Sequence, residues 1–280
     1  MIVDAHTHFY DPSRPQGVPW PPESDDTLFR TVLPDDFAAV AGPCGVSATV
    51  VVEASGWVED NQWVLDLAEA DRRIVGFVGG LDPRRGTFTK HLDRFRRNPL
   101  FRGVRARGFA VRELLEDAPK RNLEALAEAG LALDLLAQPQ ELPHVATLAG
   151  EFPTLRMVLD HVTHVPVTGT EPPASWRRDL ATLEMHGQVY CKVSGLVEAA
   201  VRQPAPEDPA YYVPTLNALW DVFGAQRLIW ASNWPVCEKS APYDQTLAVV
   251  TRYLDLKAPS ERESVFWGTS KAAYRWLDRA

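Results

Sequence analysis

Short apolar runs rich in β-branched residues alternate along the chain with stretches of helical periodicity. Eight runs read as strands: Ile2–His8, Ala48–Ser55, Ile74–Asp82, Phe101–Arg107, Ala132–Gln138, Leu155–Val162, Val189–Gly195 and Arg227–Pro235. Most lack the polar alternation of a one-sided sheet, as expected for strands covered on both faces. Helical periodicity predicts helices over Asn61–Asp71, Thr87–Arg97, Lys120–Ala129, Pro139–Gly150, Ser175–His186 and Val213–Gly224, with a shorter one at Pro34–Ala41. Gly130, Pro153, Gly187 and Gly224 stand between a helix and each of the last four strands, where helix stop signals belong. Eight strands alternating with helices predict a single α/β domain over 1–280, a (β/α)8 TIM barrel. The competing open doubly wound sheet is less well supported, because no Gly-x-Gly-x-x-Gly follows the first strand.

Composition narrows the class of function. With 29 basic and 37 acidic residues the net charge is −8, which argues against general binding to nucleic acid or an anionic membrane. No apolar run is long enough to span a bilayer, and no signal peptide is expected at Met1-Ile2-Val3-Asp4. Cys44, Cys191 and Cys237 are far apart and odd in number, which suits a reduced, cytoplasmic protein. The expected partner is a small-molecule substrate, with self-association into a homo-oligomer left open and no organic cofactor implied. Five prolines over Pro12–Pro22 and four over Pro204–Pro214 follow the first and seventh strands. Both segments would lie on the C-terminal face of a barrel, where active sites are built. Each can be read as a stiff lid or as a simple cover.

The chemistry gathers at strand ends. In Asp4-Ala5-His6-Thr7-His8 the period of two places Asp4, His6 and His8 on one face. If Val3, Ala5 and Thr7 face the helices, both imidazoles point into the barrel mouth, where they can hold a divalent metal or grip a carbonyl oxygen. His161 closes the sixth strand and is expected to meet them. His164 reads as loop or supporting shell. Lys192 points inward if Tyr190, Lys192 and Ser194 share a face; it is a candidate base or carbonyl polariser, or else a lysine paired with Glu53 or Asp4. Asn233 closes the eighth strand. Trp20 and Trp57 lie in predicted mouth loops, where aromatic faces suit sugar CH groups or flat rings.

The segments DAHTHFYD, LPDDF, FRGVRARG, LRMVLDH, YCKVSG, FGAQRLIWASNWPVC and WGTSKAAYRW resemble, in order, the amidohydrolase superfamily. They are most similar to its amidohydrolase-2 branch, and within it to sugar-lactone lactonases and pyrone-dicarboxylate lactonase. The resemblance implies a hydrolase that opens a lactone by water attack on the carbonyl. It assigns His6 and His8 to the family's HxH, His161 to its DH, Lys192 to its K-x-SG and Arg105 to its G-V-R. Arg105 and Glu53, with Trp20 and Trp57, are then candidate substrate contacts. A zinc-like divalent metal on His6, His8 and His161 is one implied arrangement, and direct binding of the lactone carbonyl is the other.

Asn233 departs from this family, which has a proton-accepting aspartate at the position. A carboxamide cannot act as that base. Three readings follow. Asp4, Glu53 or Lys192 supplies the base, or the substrate is an activated lactone that needs little help, or the chain is a weakened, ligand-binding homologue. A metal-dependent decarboxylase of the same branch is the rival enzyme, and Asn233 counts against it.

Overall fold

A computed structural model describes residues 1–279. Eight parallel strands, β1 Val3–Thr7, β2 Ala48–Val52, β3 Ile74–Gly80, β4 Phe101–Ala106, β5 Ala132–Leu135, β6 Arg156–Leu159, β7 Val189–Val193 and β8 Leu228–Trp230, pair in sequence order. β8 closes on β1 just beyond its end. The His8 N–H donates to the Trp234 carbonyl at 2.9 Å, and the Asn233 N–H donates to the His6 carbonyl at 3.0 Å. Helices Pro34–Ala41, Asp60–Ala70, Phe88–Phe95, Lys120–Glu128, Leu142–Glu151, Ala174–Ala181, Val213–Arg227 and Tyr243–Leu254 follow the eight strands in turn. This is the (β/α)8 barrel that the alternating pattern predicts.

Two apolar layers hold it. Between sheet and helices lie the outward strand residues, such as Val51, Phe77, Leu133, Met157, Cys191 and Trp230. Inside the barrel are smaller residues, among them Val3, Ala5, Val50, Val78, Ala132 and Ile229. The segment Ala273–Trp276 packs on this inner cluster from the N-terminal ends of the strands. There the Arg156 Nε–H donates to the Ala273 carbonyl at 2.6 Å, and the Leu277 N–H to the Val75 carbonyl at 3.0 Å. The bottom is thus plugged with apolar side chains, and polar groups fill the upper half.

All eight strands stop short of their expected C-terminal ends; β6, for example, ends at Leu159 rather than Val162. Those last residues leave the ladder to aim side chains over the mouth. Apolar content alone cannot mark where pairing stops, because these residues stay buried after the hydrogen bonds end.

Candidate active site

The site begins with an irregularity in β1. Asp4 pairs with Thr49 and Thr7 with Val51, so three steps on β1 match two on β2. Such a bulge re-aims the side chains beyond it. Val3 and Ala5 face the interior, contrary to the simple alternation. After the bulge His6 and His8 point inward as expected. Asp4 does not join them. It is turned toward the helices and accepts from the Ser232 N–H (2.9 Å), Ser232 Oγ (2.5 Å), Tyr243 Oη (2.9 Å) and the His6 N–H (3.2 Å). Its carboxylate ties β1 to β8 and is fully occupied, which removes it as the replacement base. Burial pushes its pKa up to about 6 despite these donors.

Below the histidines lies a buried ionic cluster. Lys192, inward on β7, donates to Asp134 Oδ2 at 2.6 Å and lies 3.1 Å from Asp160 Oδ1. Its partners are therefore Asp134 and Asp160, not Glu53 or Asp4. It also reaches His6 Nδ1 at 3.0 Å. Asp134 takes a further hydrogen bond from Tyr274 Oη. Asp160 accepts from Arg105 Nε at 2.9 Å. Burial works to raise the Asp160 pKa, but Lys192, His6 and Arg105 overcome it and hold the carboxyl well below the usual range. Strand alternation explains the set: Val158 faces inward on β6, so Asp160 does too. Asp160 is the acidic half of the DH pair, of which only His161 takes a role from the sequence, and Asp134 lies in no motif, although each follows the inward period of its strand.

By the same alternation His161 would face the helices. It returns to the mouth because His161, Val162, Thr163 and His164 all adopt left-handed φ, between 45° and 56°. That conformation costs about 1–2 kcal/mol per L-residue, and β-branched residues are poorly suited to it. Local bonds stabilise the turn. The Thr163 N–H donates to the Asp160 carbonyl at 3.0 Å, and Trp176 Nε1 donates to Thr163 Oγ1 at 2.8 Å. Gly195 makes room: it has φ +66°, and a Cβ there would lie 2.6 Å from the His161 Cβ. His164 packs at 5.5 Å against His161 and contacts the Ala137 carbonyl, a supporting place.

The three imidazoles converge. Ring centroids of His6 and His8 are 4.8 Å apart, and those of His6 and His161 4.5 Å. Burial is the main cause that lowers all three pKa values, to about 3 for His8, so the rings are neutral. Their neighbours assign the tautomers. His8 Nδ1–H donates to the Val52 carbonyl at 2.9 Å, so its Nε2 carries a lone pair. Arg105 Nη2, which can only donate, lies 3.3 Å from His161 Nε2, so the proton of His161 is on Nδ1, 2.9 Å from Ser194 Oγ. His6 Nε2 lies 3.2 Å from His8 Nε2.

The rim carries the substrate-side candidates. Glu53 meets Arg107 Nε at 3.1 Å and Arg105 Nη1 at 3.6 Å. Burial pushes its pKa up to about 7, against the pull of both arginines. Arg105 is buried and held by Asp160, whereas the Arg107 side chain is 31% exposed. A cavity of about 80 Å³ opens here, lined by Glu53, Gly80, Asp82, Arg105, Arg107 and Phe109. Trp20, from the first proline-rich loop, packs edge-on to His8 at 5.7 Å. Trp57 is 42% exposed on the loop after β2. Arg107, two residues beyond Arg105 on the same inward period, is a rim residue that no motif marks.

Asn233 faces inward after β8, at φ 63°, a conformation that Asn tolerates better than most residues. Its Nδ2 donates to Glu198 Oε1 at 2.8 Å. Glu198 Oε2 is sealed from solvent and has no partner, and burial pushes the Glu198 pKa up to about 7. Glu198 sits in the turn after β7, away from any strand end, so neither motif nor periodicity marks it.

His6, Asp160 and His161 each offer a ligand atom within 4.8 Å of one another. Imidazole and carboxylate are ordinary ligands of a divalent cation such as zinc. Asp160 Oδ1 is buried without a hydrogen bond of good geometry, although Lys192 and His6 lie nearby. The donor set therefore fits a divalent metal.

A barrel with neutral imidazoles and a buried lysine–carboxylate cluster at its C-terminal mouth defines a hydrolase-type site. The amidohydrolase family pattern matches residues 3–276, and the chain belongs to that family. It is 32% identical to an L-fucono-1,5-lactonase of Burkholderia ambifaria, over 99% of this chain and 96% of that one. It superposes with TM-score 0.88 on a Burkholderia multivorans amidohydrolase crystallised with bound zinc, 28% identical over 99% of this chain and all of the other. A probable 2-pyrone-4,6-dicarboxylic acid hydrolase from Acinetobacter baumannii, 16% identical with TM-score 0.77 over 98% and 99% of the two chains, shares the fold.

Proposed function

We propose that this protein is a lactonase that opens a sugar lactone, the kind of substrate named for its Burkholderia relatives, in carbohydrate catabolism in the cytoplasm. The convergence of His6, His8 and His161 above Lys192 at the mouth carries this reading. Cys44, Cys191 and Cys237 are all unpaired, which agrees with a reducing compartment.

The lactone ring lies over the three imidazoles, with its carbonyl oxygen over His6 Nε2. The Lys192 ammonium donates to His6 Nδ1 and so places the His6 proton on Nε2, 3.2 Å from the lone pair of His8 Nε2, from which it turns to the incoming carbonyl oxygen. As water adds, negative charge grows on the oxygen, and a preorganised N–H in a dry site is worth most there. Asp134 and Asp160 hold the ammonium in place. His161 is fixed by Ser194 and Arg105 and borders the carbonyl carbon. Glu53, Arg105 and Arg107 line the rim cavity and suit ring hydroxyls, and Trp20 offers an apolar wall beside His8. A divalent metal, if bound, would be held by His6, His161 and Asp160, whose ligand atoms converge, and would polarise the carbonyl or water.

A lactone panel read by proton release, with metal added and with chelator, tests this. The expected result is enzyme-dependent opening of aldonolactones. No turnover of any lactone, with CO2 released from an aromatic acid instead, would favour the decarboxylase reading.

A further inference from the structure

We propose that Glu198 is the general base, taking the proton of the attacking water that Asn233 positions. This deepens the lactonase reading and rests on it. The geometry places a carboxylate one amide beyond the end of β8, where Asn233 is tied to the His6 backbone. The Asn233 backbone N–H is bonded to the His6 carbonyl at 3.0 Å, and its side-chain Nδ2 to Glu198 Oε1 at 2.8 Å. Using the amide N–H on Glu198 turns Asn233 Oδ1 away from the carboxylate, free to accept from a water. Glu198 Oε2 is buried and unpartnered. A buried carboxylate oxygen without a donor costs free energy, so such an orphan in a mouth turn needs a reason.

The other candidates are committed elsewhere. Asp4 spends its oxygens on Ser232, Tyr243 and the His6 backbone. Glu53 faces two arginines, and Lys192 lies between two carboxylates. The groups facing Glu198 from neighbouring elements are the Asn233 amide, the Cys237 thiol and the Tyr212 phenol. Burial raises the pKa of both Cys237 and Tyr212, the latter to about 12, so neither is charged near neutrality. With a pKa raised to about 7, Glu198 is matched to proton transfer at neutral pH.

In the step, the water oxygen bonds to the lactone carbonyl carbon while one of its protons passes to Glu198. The C=O electron pair moves to the oxygen, which His6 Nε2–H stabilises. When the tetrahedral intermediate collapses, the ring C–O bond breaks and the leaving alkoxide takes the proton back from Glu198. The product is an open-chain hydroxy acid, which releases its own carboxyl proton to solvent. Glu198 returns to its starting state.

The test uses the full chain on one aldonolactone, with kcat and kcat/KM measured from pH 5 to 9. Wild type should show an acidic limb near pH 7. Glu198→Gln should lower kcat by about 10²–10⁴-fold with little change in KM, and the limb should vanish. Glu53 also titrates near 7, so the disappearance of the limb, not its position, makes the assignment. Adding Asn233→Asp to Glu198→Gln should restore activity at least tenfold, with the limb at a new pH. If Glu198→Gln does not fold, Glu198→Asp should keep the limb with reduced kcat. Unchanged kcat, an unmoved limb in Glu198→Gln, or no rescue in the double variant overturns the proposal while the lactonase reading stands. A wild type that opens no lactone overturns both.

Discussion

Gly195→Ala should damage catalysis and stability by amounts that the geometry sets. A Cβ at this position would lie 2.6 Å from the His161 Cβ, 3.1 Å from Cγ and 3.2 Å from Cα. Ordinary contact begins at 3.4 Å, so His161 must retreat by about 1 Å, within an already strained turn. The left-handed φ of +66° costs alanine about 1–2 kcal/mol. Forcing an extra methyl into packed surroundings adds about 1–3 kcal/mol. The sum, about 2–5 kcal/mol, corresponds to a Tm drop of roughly 4–20 °C at about 2–4 °C per kcal/mol. A displacement of about 1 Å at a reacting group costs on the order of 10²-fold in kcat. Gly45→Ala is the control, because Gly45 has φ +78° with nothing within 4 Å of the added Cβ. It should show only the backbone cost of about 1–2 kcal/mol and unchanged kcat. Differential scanning calorimetry and steady-state kinetics on both variants read the two effects. If Gly195→Ala loses stability yet keeps wild-type kcat, the position of His161 is not what the chemistry depends on.

The two rim arginines should separate. Arg105→Ala should unfold at lower temperature, because it removes the Nε–H donor of the buried Asp160 carboxylate and leaves Lys192 as its remaining cation, a loss of about 1.5–3 kcal/mol; Arg107→Ala should fold normally and raise KM, and equal effects from the two would refute this division. Acid should destabilise the protein through its buried neutral histidines. With His8 held to about 3 against an ordinary 6.5, the unfolded chain binds the proton first, so stability present above pH 6.5 is lost as pH falls toward 3. The His8 share is about 4 kcal/mol by pH 3, from about 1.4 kcal/mol per pKa unit. Denaturant titrations from pH 7 to 4 on wild type and on His8→Gln separate this share from the opposite contribution of the raised carboxyls Asp4, Glu53 and Glu198, and equal slopes in the two proteins would contradict the neutral assignment.

Much of the barrel is legible in the sequence because strand and helix periods are strong and the stop signals regular. The inward faces of β5, β7 and β8 follow from alternation alone, which places Lys192 and Asn233 correctly, whereas β4 carries an irregularity after Phe101, beyond which Arg105 faces inward. β1 breaks that rule through its bulge, so Asp4 leaves the face it was expected to share with His6 and His8. His161 reaches the mouth by a left-handed turn that no periodicity encodes, and Gly195, 34 residues later, is its only written trace. Asp134 and Asp160 are readable in retrospect as the partners that a buried lysine requires. Glu198 is not legible: the amide at Asn233 raises the question of the base, but a side chain from the turn after β7 follows no motif or period.

The most direct test is pH-stat measurement of L-fucono-1,5-lactone opening by wild type and by His6→Ala at pH 7.5. Wild type should release one proton per lactone opened, at a rate far above the buffer. His6→Ala, still folded, should fall by about 10²-fold or more in kcat. Equal rates for the two proteins would contradict a lactone-opening site built around the histidine cluster.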